Sequence, residues 1–117
     1  MPILTVTVSP ELVEKVSLDA TDTAENLLAI IHQHLAPRAG TEQIMFVPAF
    51  GAVTGCALLA RMDHRASDSR PAAVRKACAD AICRYLAEKF ETSVRVRLIA
   101  LNPDDIAASD IGVEARS

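Results

Sequence analysis

The chain opens with the stretch Met1-Pro-Ile-Leu-Thr-Val-Thr-Val8, in which apolar and β-branched residues alternate from Ile3 onward. This alternation predicts a β-strand at the start of the chain. A small residue after the initiator methionine normally allows that methionine to be removed, which would leave Pro2 with a free secondary amine. Such an amine can act as a general base, and burial among apolar walls and cations would lower its pKa toward neutrality. The alternative is that Pro2 is only a residue that starts a strand.

The composition limits the class of protein. The chain has 117 residues, half of them hydrophobic, which predicts a single domain over residues 1–117. No run approaches the roughly 18 apolar residues that cross a membrane, and no segment has the pattern of a signal peptide. The three cysteines, Cys56, Cys78 and Cys83, form no C-x-x-C pair. They favour a reduced, cytoplasmic protein with structural thiols.

Basic residues concentrate in the second half of the chain. Residues 1–60 hold two basic side chains against six acidic ones, whereas residues 61–97 hold nine against five. Nucleic acid is not an expected partner, because the chain has no basic run and few aromatic residues to stack on bases. Guanidinium groups bind carboxylates through two parallel hydrogen bonds, so the distribution favours a small ligand that carries a carboxylate. Solvated helix and strand faces are the alternative for most of these charges.

Hydrophobic periodicity predicts a strand–helix–strand order that occurs twice. In the first unit we expect a strand over Ile3–Val8, a loop over residues 9–21, a helix from about Asp22 to Leu35 and a strand over Ile44–Val47. In the second unit we expect a strand over Cys56–Met62, a loop over residues 63–69, a helix from about Pro71 to Lys89 and a strand over Ser93–Leu101. His32 and His34 lie two positions apart on the first helix, so they face different directions and form no metal pair.

Two such units, about residues 1–50 and 56–102, predict an α/β fold. Its core would be a four-stranded mixed sheet with both helices packed on one face. The run Ala57-Leu-Leu-Ala60 is apolar without alternation, which indicates a strand buried on both faces. No third helix is predicted to cover the second face. The sequence therefore predicts an oligomer in which several subunits bury one another's open sheet faces.

With Pro2, this length and this doubled pattern, the chain resembles the tautomerase superfamily. That group includes 4-oxalocrotonate tautomerase, 5-carboxymethyl-2-hydroxymuconate isomerase and macrophage migration inhibitory factor. The motif Asp80-Ala-Ile-Cys-Arg-Tyr-Leu86, followed by Thr92-Ser-Val-Arg-Val96, is similar to a helix end and the next strand of 4-oxalocrotonate tautomerase. The spacing Arg70-x-x-x-x-Arg75 resembles the isomerase branch. The likeness covers about half the chain and the first strand, and residues 9–55 match only in pattern.

The resemblance implies a cytoplasmic homotrimer without cofactor or metal. It would be an isomerase that moves a proton in a small 2-oxo or 2-hydroxy-dienoic acid, as in aromatic compound catabolism. Pro2 would be the general base, and Arg95 would bind the 2-oxo acid end of the substrate. The loop arginine that holds the distal carboxylate in that family has no secure match. Ala66 falls near its position, with Arg65 and Arg70 on either side and Arg75 as a further candidate.

Other interpretations stay open. Arg70 precedes a helix, where a cation opposes the helix dipole unless an anion binds there, and it can equally point into water. Arg95 and Arg97 share one strand face, where they would pair with acids of a neighbouring subunit or place one guanidinium near Pro2. A decarboxylase or dehalogenase of the same superfamily would use protonated Pro2 as an acid. A non-catalytic trimeric interaction protein would be expected if Met1 were retained or the Pro2 pocket were closed.

Overall fold

Four strands form one mixed sheet in a computed structural model of the chain, which describes residues 2–51 and 53–113. The strands are β1 (Ile3–Val8), β2 (Gln43–Pro48), β3 (Leu58–Arg65) and β4 (Val94–Leu101), in the spatial order β2-β1-β3-β4. β1 is parallel to β2 and antiparallel to β3, and β3 is parallel to β4. The sheet is the one predicted for two strand–helix–strand units placed side by side.

Within the described residues three α-helices accompany the sheet: α1 (Val13–Leu18), α2 (Ala20–Leu35) and α3 (Ala72–Phe90). The long helices α2 and α3 are the two that the sequence predicts. α2 stops at Leu35 because Ala36 adopts the left-handed conformation, with φ of 43°, and Pro37 cannot continue a helix. No helix of the described residues is long and apolar enough to span a bilayer.

The prediction of a loop over residues 9–21 was wrong. A 3-10 turn at Pro10–Leu12 leads into α1, and α2 begins at Ala20 rather than at Asp22. A helix of six residues is marginal by itself, so its stability comes from packing. Val16 is buried in the hydrophobic core, and Leu12 and Val13 pack against that core. Tertiary burial therefore outweighs the weak local signal.

The third strand is shifted from its predicted position. β3 covers Leu58–Arg65, so residues 63–65 belong to a strand and not to the expected loop. Pairing with β1 on one side and β4 on the other satisfies the backbone of these polar residues. Within β3 buried and exposed residues alternate, and Leu59 is 39% exposed. The prediction that this strand is buried on both faces is therefore wrong for a single subunit.

The hydrophobic core lies between α2, α3 and one face of the sheet. The sheet contributes Leu4, Val6, Val8, Leu58, Ala60 and Met62, and the helices contribute Leu27, Ile31, Leu35, Cys78, Ile82, Leu86 and Phe90. The opposite face is covered by no helix of the described chain. Its central rows, read across β2, β1, β3 and β4, are Val47, Thr7, Leu59 and Arg95, then Met45, Thr5, Arg61 and Arg97.

Candidate active site around Pro2

Pro2 lies directly before β1 and is fully buried. Its carbonyl accepts a hydrogen bond of 2.9 Å from the backbone N–H of Gln43, which ties it to β2. Side chains alternate along a strand, so Pro2 projects to the same face as Leu4 and Val6, toward the helices. Met1, whose removal the sequence predicts, lies outside the described residues.

The strand register places Pro2 between Glu42 and His64. Ile3 is opposite Gln43 on the parallel neighbour β2 and opposite Asp63 on the antiparallel neighbour β3. One residue before Ile3, the same registers lead to Glu42 on one side and to His64 on the other. All three positions are on the helix-facing side by the alternation of the strands. A carboxylate and an imidazole thus flank the start of the chain.

His64 is only 1% exposed, and the tautomer of its ring is set by one contact. Nδ1 lies 3.0 Å from the carbonyl oxygen of Arg65. Because a carbonyl can only accept, Nδ1 carries the proton and Nε2 of the neutral ring is an acceptor. Burial lowers the pKa of His64, and the charges of Arg70 and Arg75 lower it further, although the contact with Arg65 raises it. The imidazole is neutral at pH 7.

One carboxylate oxygen of Glu42 has a partner among the described residues, and the other has none. Its Oε1 lies 3.1 Å from Nε2 of His32 on α2, and its side chain is 13% exposed. Burial raises the pKa of Glu42, but hydrogen bonds from the backbone and from His32 outweigh it, so the net pKa is lowered and the carboxyl is ionised. Oε2 of Glu42 and Nε2 of His64 are the buried side-chain polar atoms that have no hydrogen-bond partner in the described residues.

Arg70 and Arg75 bring positive charge to the same end of the sheet. Arg70 donates from Nε to the carbonyl of Leu35 and from Nη1 to the carbonyl of Arg65, both at 3.2 Å. Leu35 ends α2, where a cation is favourable, so Arg70 gains contacts there and does not point only into water. Burial lowers its pKa. Arg75 donates from Nε to the carbonyl of Arg70 at 3.2 Å.

A cavity of about 400 Å³ opens where β3 and α2 end. Since β3 passes His64 directly before Arg65, this cavity is at the Pro2 end of the sheet. Its lining is His34, Leu35, Ala36, Arg65, Ala66, Ser67, Ser69, Arg70 and Pro103. Two of the four predicted substrate-binding arginines therefore share one cavity, and Arg75 hydrogen-bonds to one of them.

Arg95 lies elsewhere in the subunit. It is opposite Leu59 in the register of β3 and β4, and it lines a smaller cavity of about 170 Å³ with Thr7 and Leu59. Leu59 is five residues from His64, or about 17 Å along a strand, and it faces the opposite side of the sheet from Pro2. One subunit does not bring Arg95 to Pro2, so the predicted role of Arg95 requires a neighbouring subunit.

No protein-family model and no curated protein matches this chain. Solved structures do match. A member of the cis-3-chloroacrylic acid dehalogenase family, N1, superposes with a TM-score of 0.76 at 13% identity, covering 98% of this chain and 83% of that one. Pt0534, whose structure was solved after inactivation by 2-oxo-3-pentynoate, gives 0.74 at 15%, covering 92% and 91%. A 5-carboxymethyl-2-hydroxymuconate isomerase from Deinococcus radiodurans R1 gives 0.67 at 11%, covering 94% and 90%.

The chain has the tautomerase fold. The resemblance that the sequence predicts is therefore confirmed at the level of the fold, over nearly the whole chain. The proteins with this fold include dehalogenase, tautomerase and isomerase relatives. The tautomerase fold by itself does not select among these reactions, so the choice depends on the residues of the site.

Sequence reasoning missed Glu42 and His64. Both lie in segments that were interpreted as connections, and neither belongs to a motif. The signal that places His64 is the alternation of Leu58–Arg65, in which every second residue is buried. Glu42 has no comparable signal, because only pairing with β1 decides its place. Among residues 2–51 and 53–113, no three His, Cys, Asp or Glu side chains are grouped as metal ligands would be.

Proposed function

We propose that the mature protein is a cofactor-free tautomerase or isomerase with Pro2 as its general base. Its substrate would be a small 2-oxo or 2-hydroxy-dienoic acid. The observation that carries this proposal is the position of Pro2: it is buried at the start of β1, between Glu42 and His64. Beside it, Arg70 and Arg75 supply positive charge. An amine in such surroundings is suited to proton transfer near neutral pH.

The reaction follows from the chemistry of the free amine. After Met1 is removed, the lone pair of Pro2 accepts a proton from a carbon next to the carbonyl of the substrate. The electron pair of the broken C–H bond moves to the carbonyl oxygen, and cationic side chains stabilise the enolate that develops. The Pro2 ammonium then returns the proton to the oxygen or to a more distant carbon of the conjugated system. No electrons leave the substrate, so the reaction needs no redox cofactor.

The cavity that contains Arg65 and Arg70 is our candidate for binding the substrate carboxylate. Guanidinium groups bind carboxylates in a planar, two-bonded arrangement. Two of the five N–H groups of Arg70 are occupied by backbone carbonyls. The volume of about 400 Å³ is in the range of small-molecule sites. Arg65 is exposed, and its side chain would close over the bound acid.

A homotrimer is part of the proposal. The uncovered sheet face carries apolar side chains such as Leu59 and Met45, which are 39% and 46% exposed. Burial against other subunits would remove them from water. One structural neighbour is described as a fused 4-OT symmetric trimer, with a TM-score of 0.66 at 14% identity. In such an assembly Arg95 of another subunit would complete the pocket. A cytoplasmic location and a role in aromatic compound catabolism belong to the same proposal.

A second candidate is a decarboxylase or dehalogenase in which protonated Pro2 acts as an acid. One observation favours it: Glu42 is an ionised carboxylate that flanks Pro2 and raises the pKa of a nearby amine. Arg65 and Arg70 provide an arginine pair in one cavity. The two candidates differ in the resting state of Pro2, which is neutral for a base and charged for an acid.

The test begins with the mass of the intact protein, which is expected to lack Met1. Incubation with 2-oxo-3-pentynoate is then expected to add one adduct per subunit on Pro2, and the reaction should slow below the pKa of the amine. Retention of Met1 would contradict both catalytic candidates and would leave the non-catalytic trimeric interaction protein. A Pro2 that reacts only well above neutral pH would contradict the general base and support the general acid, because a protonated amine has no lone pair. A Pro2 that reacts at no pH would contradict both.

Assays with phenylenolpyruvate and with hydroxymuconate-type dienols follow. Pro2→Ala is expected to lower kcat/KM by about 10²- to 10⁴-fold, as expected for loss of a general base. Arg70→Ala and Arg95→Ala are expected to raise KM. Arg84→Ala is the matched control, because Arg84 is exposed on α3 and lines neither the cavity of Arg65 and Arg70 nor that of Arg95. An equal effect of the control would contradict the assignment of the other two arginines.

A further inference from the structure

Two unpaired acceptors flank Pro2. Oε2 of Glu42 and Nε2 of His64 are the buried side-chain polar atoms without a partner in the described part of the chain. Buried polar groups in folded proteins are nearly always hydrogen-bonded. It is therefore notable that both atoms belong to the residues on either side of one position, as the register with β2 and β3 requires.

The chemistry of both atoms is that of an acceptor. The carboxyl of Glu42 is ionised, so Oε2 has no proton to donate. Nδ1 of His64 donates to the carbonyl of Arg65, so Nε2 of the neutral ring presents a lone pair. Two acceptors cannot satisfy each other. A single group that lies between them and has two hydrogens to donate would satisfy both.

The nearby arginines use their observed hydrogen bonds elsewhere. Arg70 donates to the carbonyls of Leu35 and Arg65, and Arg75 donates to the carbonyl of Arg70. The position between the acceptors is that of Pro2. In a peptide bond to Met1 the nitrogen of Pro2 has no hydrogen. As a free secondary amine it has one, and as an ammonium it has two.

We propose that Glu42 and His64 together hold the protonated secondary amine of Pro2, each accepting one of its two N–H groups. They are positioning residues, which orient the nitrogen and stabilise its charged form. When the amine loses a proton, one acceptor loses its donor and the lone pair becomes available for substrate. The proposal rests on the same release of Met1 as the proposed function, but it does not rest on turnover.

The groups that influence the pKa of this amine belong to several strands and helices around it. Directly before β2, the carboxylate of Glu42 raises the pKa of the amine, and a positive charge on its partner His32 of α2 would weaken that effect. From β3, His64 contributes a neutral acceptor. Arg70 and Arg75, before and within α3, act in the opposite direction because like charges disfavour an ammonium. The pKa of Pro2 is therefore set by burial, which disfavours the ammonium, and by the opposing effects of the carboxylate and the two arginines.

A titration of the Pro2 nitrogen by ¹⁵N NMR, on mature protein labelled with [¹⁵N]proline, tests this proposal without any substrate. Glu42→Gln removes the charge and is expected to lower the pKa of the amine by about one to two units. His64→Leu removes the other acceptor and is expected to lower it by roughly half a unit to one unit. His64→Gln retains an acceptor oxygen and should restore part of the difference.

Glu25→Gln is the matched control, because it removes the same charge from an exposed position on α2 and should leave the titration unchanged. An unchanged amine pKa in both Glu42→Gln and His64→Leu would overturn the proposal. Should these variants fold poorly, a crystal structure of the mature wild-type protein below that pKa decides the matter. We expect Pro2 N at about 2.7–3.2 Å from both acceptors. Separations beyond about 4 Å from both would overturn the proposal.

The outcomes separate this inference from the proposed function. If the variants shift the pKa of Pro2 but the protein turns over no dienol or enol acid, the proposed role of Glu42 and His64 would be supported. The tautomerase activity would then be contradicted. If the protein turns over such an acid but the pKa of Pro2 is unchanged in the variants, the activity would be supported and the role of Glu42 and His64 contradicted. A retained Met1 would contradict both, because Pro2 then has no hydrogen to donate.

Discussion

At the scale of single residues, His64 combines burial with a neutral ring. None of the described carboxylates pairs with it, and the charges of Arg70 and Arg75 reach it. Proton uptake would therefore place a positive charge, cut off from water, near those of Arg70 and Arg75. Because the folded chain keeps the ring of His64 neutral, we expect the free energy of unfolding to depend on pH.

We expect the protein to lose stability as the pH falls below about 6.5. The pKa of His64 is lower in the folded chain than its ordinary value of 6.5, so the unfolded chain binds more protons in that range. This stabilisation is complete above the unfolded pKa and is lost as the pH falls through the folded one. Urea unfolding at pH 7.5 and 5.5 should show the decrease, and His64→Gln should reduce it.

The range from pH 7.5 to 5.5 separates the effect of His64 on stability from the effects of the acidic groups. The pKa values of Glu11 and Glu42 are lowered from 4.5, so their stabilisation is present above that pH and is lost only below it. A decrease between pH 7.5 and 5.5 that is as large in His64→Gln as in the wild type would show that another group is responsible.

Cys78 is expected to resist alkylation. It is buried between α3 and the core, and burial raises the pKa of its thiol to about 11. At pH 8 the thiolate is then only about one part in 10³, and reagents have no access. Iodoacetamide followed by mass spectrometry should modify Cys56 and Cys83, which are partly exposed, before Cys78. Equal rates at all three thiols would contradict this.

At the scale of elements, the end of α2 is held in an unfavourable backbone conformation. Ala36 has φ of 43°, a region that costs a residue with a Cβ roughly 1–2 kcal/mol. The strain is maintained because the turn directs the chain toward β2, and the N–H of Ala36 still bonds to the carbonyl of His32 at 3.3 Å. Arg70 adds a hydrogen bond to the carbonyl of Leu35 in the same turn.

Ala36→Gly is therefore expected to raise the free energy of unfolding by about 1 kcal/mol, because glycine adopts this conformation without steric cost. Ala29→Gly is the matched control, since Ala29 is exposed in the middle of the same helix. There the same substitution should lower the free energy of unfolding by about 1 kcal/mol. Chemical denaturation measures both, and two changes of the same sign would contradict the interpretation.

At the scale of the whole molecule, assembly of subunits would explain both the uncovered sheet face and the separation of Arg95 from Pro2. Burial of that face between subunits would protect Leu59, and it would bring Arg95 of one subunit toward the Pro2 end of another. Thr7 and Leu59 sit beside Arg95 in the small cavity on this face. The face is therefore both the proposed interface and the place of a predicted substrate-binding residue.

We expect the wild-type protein to have three times the subunit mass of 12.5 kDa in size-exclusion chromatography with light scattering. Leu59→Lys should dissociate it, because the interface would then bury a charge beside the like charge of Arg95, which lies opposite residue 59, at a cost of several kcal/mol. Leu18→Lys is the control: Leu18 is 79% exposed on α1, away from the sheet face. A monomeric wild type, or a trimer that survives Leu59→Lys, would contradict the proposed assembly.

The sequence by itself determined the features that repeat along the chain. The alternation over Ile3–Val8 specifies β1, since a strand directs every second side chain to one face. The apolar stripes of α2 and α3 likewise follow from the helical period, and Pro2 is the second residue of the printed sequence. Such patterns depend on neighbours within a few positions, so they can be read before any fold is known.

Only the tertiary structure decided what lies around Pro2. Glu42 and His64 are 22 positions apart in the sequence and lie on either side of Pro2 because β1 pairs with β2 on one side and with β3 on the other. The register of such pairing is chosen by burial of the whole core, and a slip of one residue would move both side chains to the opposite face. α1 and the contact of Arg70 with Leu35 depend on the same global packing, which no local pattern records.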